Sequence, residues 1–92
     1  MAEKTDQLTI QHVHYMPETL EPHTLYVSNE YEIAIHLCAC GCGIKTVTPI
    51  GGPLSWKYTE TDGKATLHPS IGNQQFPCQS HYWIRDGKIV WT

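Results

Sequence analysis

Three cysteines within five residues, in the stretch Cys38-Ala-Cys-Gly-Cys-Gly43, constrain this chain more than any other feature. On a straight strand their side chains would project from one face at intervals of roughly 6.6 Å, too far apart for one ion. Gly41 must therefore lie in a turn if all three bind, and glycine allows the backbone to fold that closely. A fourth cysteine opens Cys78-Gln-Ser-His81, which has the C-x-x-H spacing of a zinc knuckle. Zinc takes four ligands in a tetrahedron, so five candidates compete for four places. Either Cys38, Cys40, Cys42 and Cys78 bind and His81 is free for another task, or His81 is a ligand and one cysteine drops out. A shell closed by four protein groups leaves no position for a metal-bound water, which makes the ion structural. The competing readings are small buried hydrophobes or a disulfide pair. Both are disfavoured, because three cysteines in five residues seldom serve packing alone. The polar start Met1-Ala-Glu-Lys-Thr-Asp-Gln7 lacks a signal peptide's hydrophobic stretch. The expectation is a cytoplasmic protein, in a compartment where thiolates hold metal rather than pair as disulfides.

A staple matters because the chain has only 92 residues, one domain whose core is small relative to its surface. Three Trp, five Tyr and a hydrophobic share of 40% exclude a disordered chain. Residues 1–7 read as a flexible N-terminal arm and 8–92 as a single zinc-binding β domain. Leu8 and Ile10 alternate with polar neighbours, as do Leu25 and Val27, then Tyr31, Ile33, Ile35 and Leu37, with Ala34, His36 and Cys38 on the opposite face. Leu54, Trp56 and Tyr58 continue the pattern, and Asp62-Gly63 and Asp86-Gly87 read as tight hairpin turns. No helical period of 10 or more residues stands out. The expected fold is mostly β, a small antiparallel arrangement of about six short strands and hairpins stapled by the zinc site. The net charge is −3, and Lys4, Lys45, Lys57, Lys64, Arg85 and Lys88 are scattered. This argues against a nucleic-acid groove. No apolar run approaches the roughly 20 residues that span a bilayer.

Beyond the cysteines, Ser70, Ser80, His36, His68 and His81 are the polar residues able to carry chemistry. A serine nucleophile needs an imidazole within about 3 Å to take its proton. Ser70 sits between Pro69 and Ile71-Gly72, a turn-prone setting that exposes its hydroxyl, and His81 can approach from the cysteine loop. Ser80 adjoins His81, and neighbours on a strand point to opposite faces, so Ser70 with His81 is the better pair. No carboxylate stands out to orient His81; Glu32, Glu60, Asp62 and Asp86 are candidates by elimination. The spacing also fits turn-forming or surface roles for both residues. Tyr82, Trp83 and Trp91 read as hairpin packing, and His12, His14 and His23 as surface residues. His36 reads either as strand packing or as a support behind the metal ligands.

Three blocks, His36-Leu-Cys-Ala-Cys-Gly-Cys-Gly43, Leu67-His-Pro-Ser-Ile-Gly-Asn73 and Cys78-Gln-Ser-His-Tyr-Trp-Ile84 with Gly87 and Trp91, resemble the bacterial "domain of unknown function 6527" family over residues 24–92. The resemblance implies a zinc site in the cysteine blocks and a place beside ubiquitin-like modifiers and their conjugating enzymes. It further implies a serine peptidase that trims the modifier or releases it from targets, with Ser70 as nucleophile and His81 as general base. The alternative is a non-catalytic zinc module that recognises a modifier or a conjugating enzyme.

Overall fold

A computed structural model describes residues 6–53, 55–73 and 77–92. Eight strands form two four-stranded sheets, and no helix occurs among the described residues. In the first sheet β1 (Thr9–His12), β2 (Thr24–Ser28), β3 (Ile33–Leu37) and β4 (Lys45–Pro49) lie side by side in chain order. In the second, β5 (Lys57–Thr61), β6 (Lys64–Asn73), β7 (Ser80–Arg85) and β8 (Lys88–Trp91) do the same.

The mostly β expectation holds, with three corrections of detail. The continuous alternation from residue 24 to 38 is two antiparallel strands, because the chain turns at residues 29–32, where Glu32 takes a left-handed φ of 53°. Hydrophobic period alone does not register such a turn. The segment around Ser70 is strand rather than loop, although its pairing is irregular. Third, β1 pairs with β2 in parallel, which the long connection over residues 13–23 permits by returning the chain to the start of the neighbouring strand. Of the arm expected over residues 1–7, residues 1–5 lie outside the described set. Gln7 bridges to Lys88, and the Ile89 N–H donates to the carbonyl of Asp6. Leu54 is likewise outside the described residues, while Trp56 and Tyr58 are packed against the core.

The inner faces of both sheets supply one core. Leu25 and Val27 of β2 and Ala34 of β3 meet Leu67 and Ile71 of β6, Tyr82 and Ile84 of β7, and Ile89 of β8. On β3 the fully buried face is the one bearing Ala34, His36 and Cys38, which hydrophobicity counts alone had set opposite the apolar row. A polar cluster sits in this core beside the cysteines. His36 Nε2 is 2.7 Å from Tyr82 Oη, and the Ala39 N–H donates to the same hydroxyl at 3.3 Å. Asn73 Nδ2 lies 3.2 to 3.5 Å from Thr46 Oγ1, Ser80 Oγ and Tyr82 Oη. Burial lowers the His36 pKa to about 4, so the imidazole is neutral. The Tyr82 hydroxyl is thus the hub joining β3, the cysteine turn and β6. Tyr82→Phe would leave the buried Ala39 N–H and His36 Nε2 without that partner, a loss of about 1–3 kcal/mol. Denaturant unfolding monitored by Trp fluorescence should show it, and an unchanged midpoint would refute the role.

Candidate metal centre and serine–histidine pair

The end of β3 delivers Cys38, and the chain then turns tightly. The Gly41 N–H donates to the Cys38 carbonyl at 3.0 Å, the Cys38 N–H to the Ile44 carbonyl at 2.8 Å, and Gly41 and Gly43 adopt φ values of 90° and 81°. Gly41 therefore lies in the turn that three converging sulfurs require. Cys78 approaches from the other sheet, on the segment leading into β7. The four Sγ atoms lie within 4.8 Å of one another. Cys38 Sγ is 3.4 Å from Cys40 Sγ and 3.7 Å from Cys78 Sγ, and Cys42 Sγ is 3.7 Å from Cys78 Sγ. A tetrahedral thiolate site with metal–sulfur bonds of about 2.3 Å has edges of about 3.8 Å, so this cluster can hold one metal ion. None of the four is in a disulfide.

Hydrogen bonds from the Ser80 hydroxyl and backbone hold the Cys78 thiol down at about 6, whereas burial first, and then the neighbouring sulfurs, push Cys40 up to about 12. Burial also raises Cys42. A divalent ion held by the cluster would favour the thiolate form of its ligands. Around Cys38 Sγ stand Ser80 Oγ at 3.0 Å and Asn73 Nδ2 at 3.4 Å, donors of the kind that orient and stabilise bound thiolates. Residue spacing did not single out Asn73 for this position. Its block was conspicuous, but only the pairing of β6 with β7, which sets Asn73 opposite Ser80, brings it to the sulfur. His36 reaches Tyr82 rather than a sulfur, so it holds the cysteine turn indirectly.

His81 is separate from the cluster. Its Nε2 lies 2.7 Å from Ser70 Oγ and its Nδ1 lies 2.9 Å from Thr92 Oγ1. Ser70 gets there through an irregularity in β6. Leu67 opposes Ile84 and Ile71 opposes Tyr82 on β7, so His68, Pro69 and Ser70 share the space across from Trp83 alone. Pro69 has no N–H to give to a ladder and is tolerated in an inner strand only at such a bulge, and bulges re-aim side chains. Leu67, Ile71 and Asn73 point into the core, while Ser70 and His81 are only half-buried and open to solvent. The indole N–H of Trp56 donates to the Ser70 carbonyl at 3.4 Å. Gly72 pairs with His81 across the ladder and leaves the imidazole uncrowded, since even an added Cβ would stay 3.8 Å from its ring.

The carboxylates considered for orienting His81 lie elsewhere. Glu60 bonds His12 and Tyr58, Asp62 and Asp86 occupy the two hairpin turns, and the Glu32 carbonyl accepts from the Ile50 N–H at the β3–β4 end. Among the described residues, the carboxylates within reach of a histidine are Glu60 at His12 and Glu30 at His14, and neither involves His81. The histidines His12, His14 and His23 are exposed. Tyr82 and Trp91 stack edge to face at 5.2 Å, and the Arg85 guanidinium lies 4.5 Å over the Trp83 ring, as hairpin packing requires.

If the cysteines carry an ion, the purified protein contains one metal per chain by elemental analysis, and chelation unfolds it at lower temperature. Losing an ion held at about 100-fold above its Kd costs about 2.7 kcal/mol, or more than about 10 °C in Tm for a domain of this size. Binding displaces thiol protons, so the metal should be released as pH falls. An unchanged Tm on chelation of a metal-containing sample would contradict a structural ion.

No curated protein and no solved structure matches the chain. One protein-family match covers residues 12–92, a wider span than the motif blocks covered. It carries a different family name from the one those blocks indicated and the same pathway setting. The chain belongs to the family described as bacterial ubiquitination-like system serine protease (BubE).

Proposed function

We propose that this chain is a zinc-stabilised serine peptidase of a bacterial ubiquitin-like conjugation pathway, trimming the modifier or releasing it from its targets. The observation that carries the reading is the 2.7 Å separation of Ser70 Oγ and His81 Nε2 on a solvent-open face of the second sheet. The family's serine-protease description supports it independently. A modifier joined to a target presents a peptide or isopeptide carbonyl, and a half-buried hydroxyl in hydrogen-bond reach of an imidazole suits attack on such a bond.

In this mechanism Ser70 Oγ attacks the carbonyl carbon while its proton passes to His81 Nε2. The imidazolium then gives that proton to the departing amine nitrogen as the C–N bond breaks, leaving an ester on Ser70. Water, deprotonated by the same Nε2, attacks the ester carbon, and the proton returns to Ser70 Oγ as the acid leaves. The hydrogen bond from Trp56 to the Ser70 carbonyl holds the bulge that presents the nucleophile. Cys38, Cys40, Cys42 and Cys78 would hold a zinc ion that would cross-link the sheets, and four thiolate ligands would leave it no position for an activated water.

A second reading, a non-catalytic zinc module that recognises a modifier or conjugating enzyme, draws on the absence of a carboxylate paired with His81 among the described residues. Cleavage of a modifier fusion by the metal-loaded protein separates the two. Ser70→Ala should lower cleavage by about 10³-fold or more while metal content and Tm stay at parental values. His81→Gln should lower it by about 10²–10⁴-fold. Undiminished cleavage by Ser70→Ala would sink the peptidase reading, and tight binding without turnover by the parent would favour the recognition module.

A further inference from the structure

We propose that Thr92 is the positioning residue of the serine–histidine pair: its hydroxyl accepts the Nδ1–H of His81 and so holds the imidazole with its Nε2 lone pair toward Ser70. The proposal rests on the peptidase reading for its catalytic consequence, though not for the contact itself.

Three observations converge on Thr92. The register of β7 with β8 sets Tyr82 opposite Trp91, so the next position on β8 falls opposite His81. The Thr92 N–H donates to the His81 carbonyl at 3.2 Å, which continues that ladder by one residue. Residues opposed across antiparallel strands project from the same face, and Thr92 Oγ1 is accordingly 2.9 Å from His81 Nδ1. The imidazole is thus held from both sides on one face of the sheet, by Ser70 from β6 and by Thr92 beyond β8.

Chemistry gives the contact its purpose. A neutral imidazole carries one ring proton, and the hydrogen bond made by one nitrogen decides the state of the other. With the proton on Nε2 the ring would donate to Ser70 Oγ and could not take its proton. An acceptor at Nδ1 selects the opposite tautomer, the task a carboxylate performs in a serine triad. A hydroxyl oxygen has two lone pairs for this. It offers no negative charge to the imidazolium, and neutral hydrogen bonds are roughly half as strong as charge-assisted ones. Thr92 therefore fixes the tautomer more than it stabilises the charged ring.

The test uses the metal-loaded full chain and a fluorophosphonate probe, which needs no knowledge of the natural substrate. Labelling forms an O–P bond at Ser70 Oγ and breaks the P–F bond; fluoride leaves and the serine proton passes to His81. Thr92→Val keeps the β-branched shape and removes the acceptor. It should slow labelling by about tenfold or more, part of the ~10²–10⁴-fold that a general base supplies, while Thr92→Ser keeps the parental rate. Long-range ¹H–¹⁵N spectra of the ring should show His81 protonated on Nδ1 in the parent and shifted toward Nε2 in Thr92→Val. Parental labelling by a folded Thr92→Val, or a parent His81 protonated on Nε2, overturns the proposal. The spectrum of the parent decides the matter even if Thr92→Val does not fold. A parent that the probe never labels counts against the peptidase reading instead, and the spectrum still tests the contact.

Discussion

Four sulfurs drawn into one small volume are the constraint on which the remaining structure depends. Three come from a turn at the end of β3 in the first sheet and the fourth from the approach to β7 in the second. A chain of this length cannot bury enough apolar surface to be indifferent to such a tie. Ser80 hydrogen bonds hold the Cys78 thiol down while burial pushes Cys40 up. A cation held by the four sulfurs would tie the sheets together and couple folding to metal binding.

The polar core beside the sulfurs extends this tie. Ser80 and Asn73 touch Cys38 on one side and Tyr82 with His36 fixes the cysteine turn on the other. Apart from His36 Nδ1, which is buried without a partner, the buried side-chain polar atoms among the described residues are hydrogen-bonded, and a paired network admits few alternative arrangements. β7 takes part at every step. Ser80 faces the sulfurs, Tyr82 the buried network, and His81 between them the opposite face, because successive side chains on a strand alternate. The cysteine cluster and the serine–histidine pair are therefore two faces of one strand, and fixing the inner face also fixes the imidazole on the outer.

Ser70 reaches that imidazole through the bulge in β6. A regular ladder would have given one residue opposite Trp83, and the three that occupy the space swing the serine toward His81. Strands give precision and bulges give direction, and here the two are combined within ten residues of one strand. Family membership sets this chain in a bacterial ubiquitination-like system, which implies interaction with components of a modifier pathway.

Much of this was legible in the residues. The cysteine spacing with its glycines pointed to a metal cluster but left His81 competing with the four cysteines for a place in it; the fold gathers Cys38, Cys40, Cys42 and Cys78 and sets His81 beside Ser70, while alternation with Asp-Gly turns marked the β class. Ser70 and His81 stood out by residue type, yet type also fits a turn former and a surface imidazole. Their approach to 2.7 Å depends on a bulge and on pairing between strands distant in sequence. Thr92 carried no signal, since a threonine after a strand is unremarkable until β8 is laid against β7. The turn splitting residues 24–38 and the parallel pairing of β1 with β2 were equally invisible, because local periodicity records which residues alternate and not which strand lies beside them. Sequence fixes chemistry and local period through short-range sterics; which groups meet is decided by long-range register, and that exists only in the folded chain.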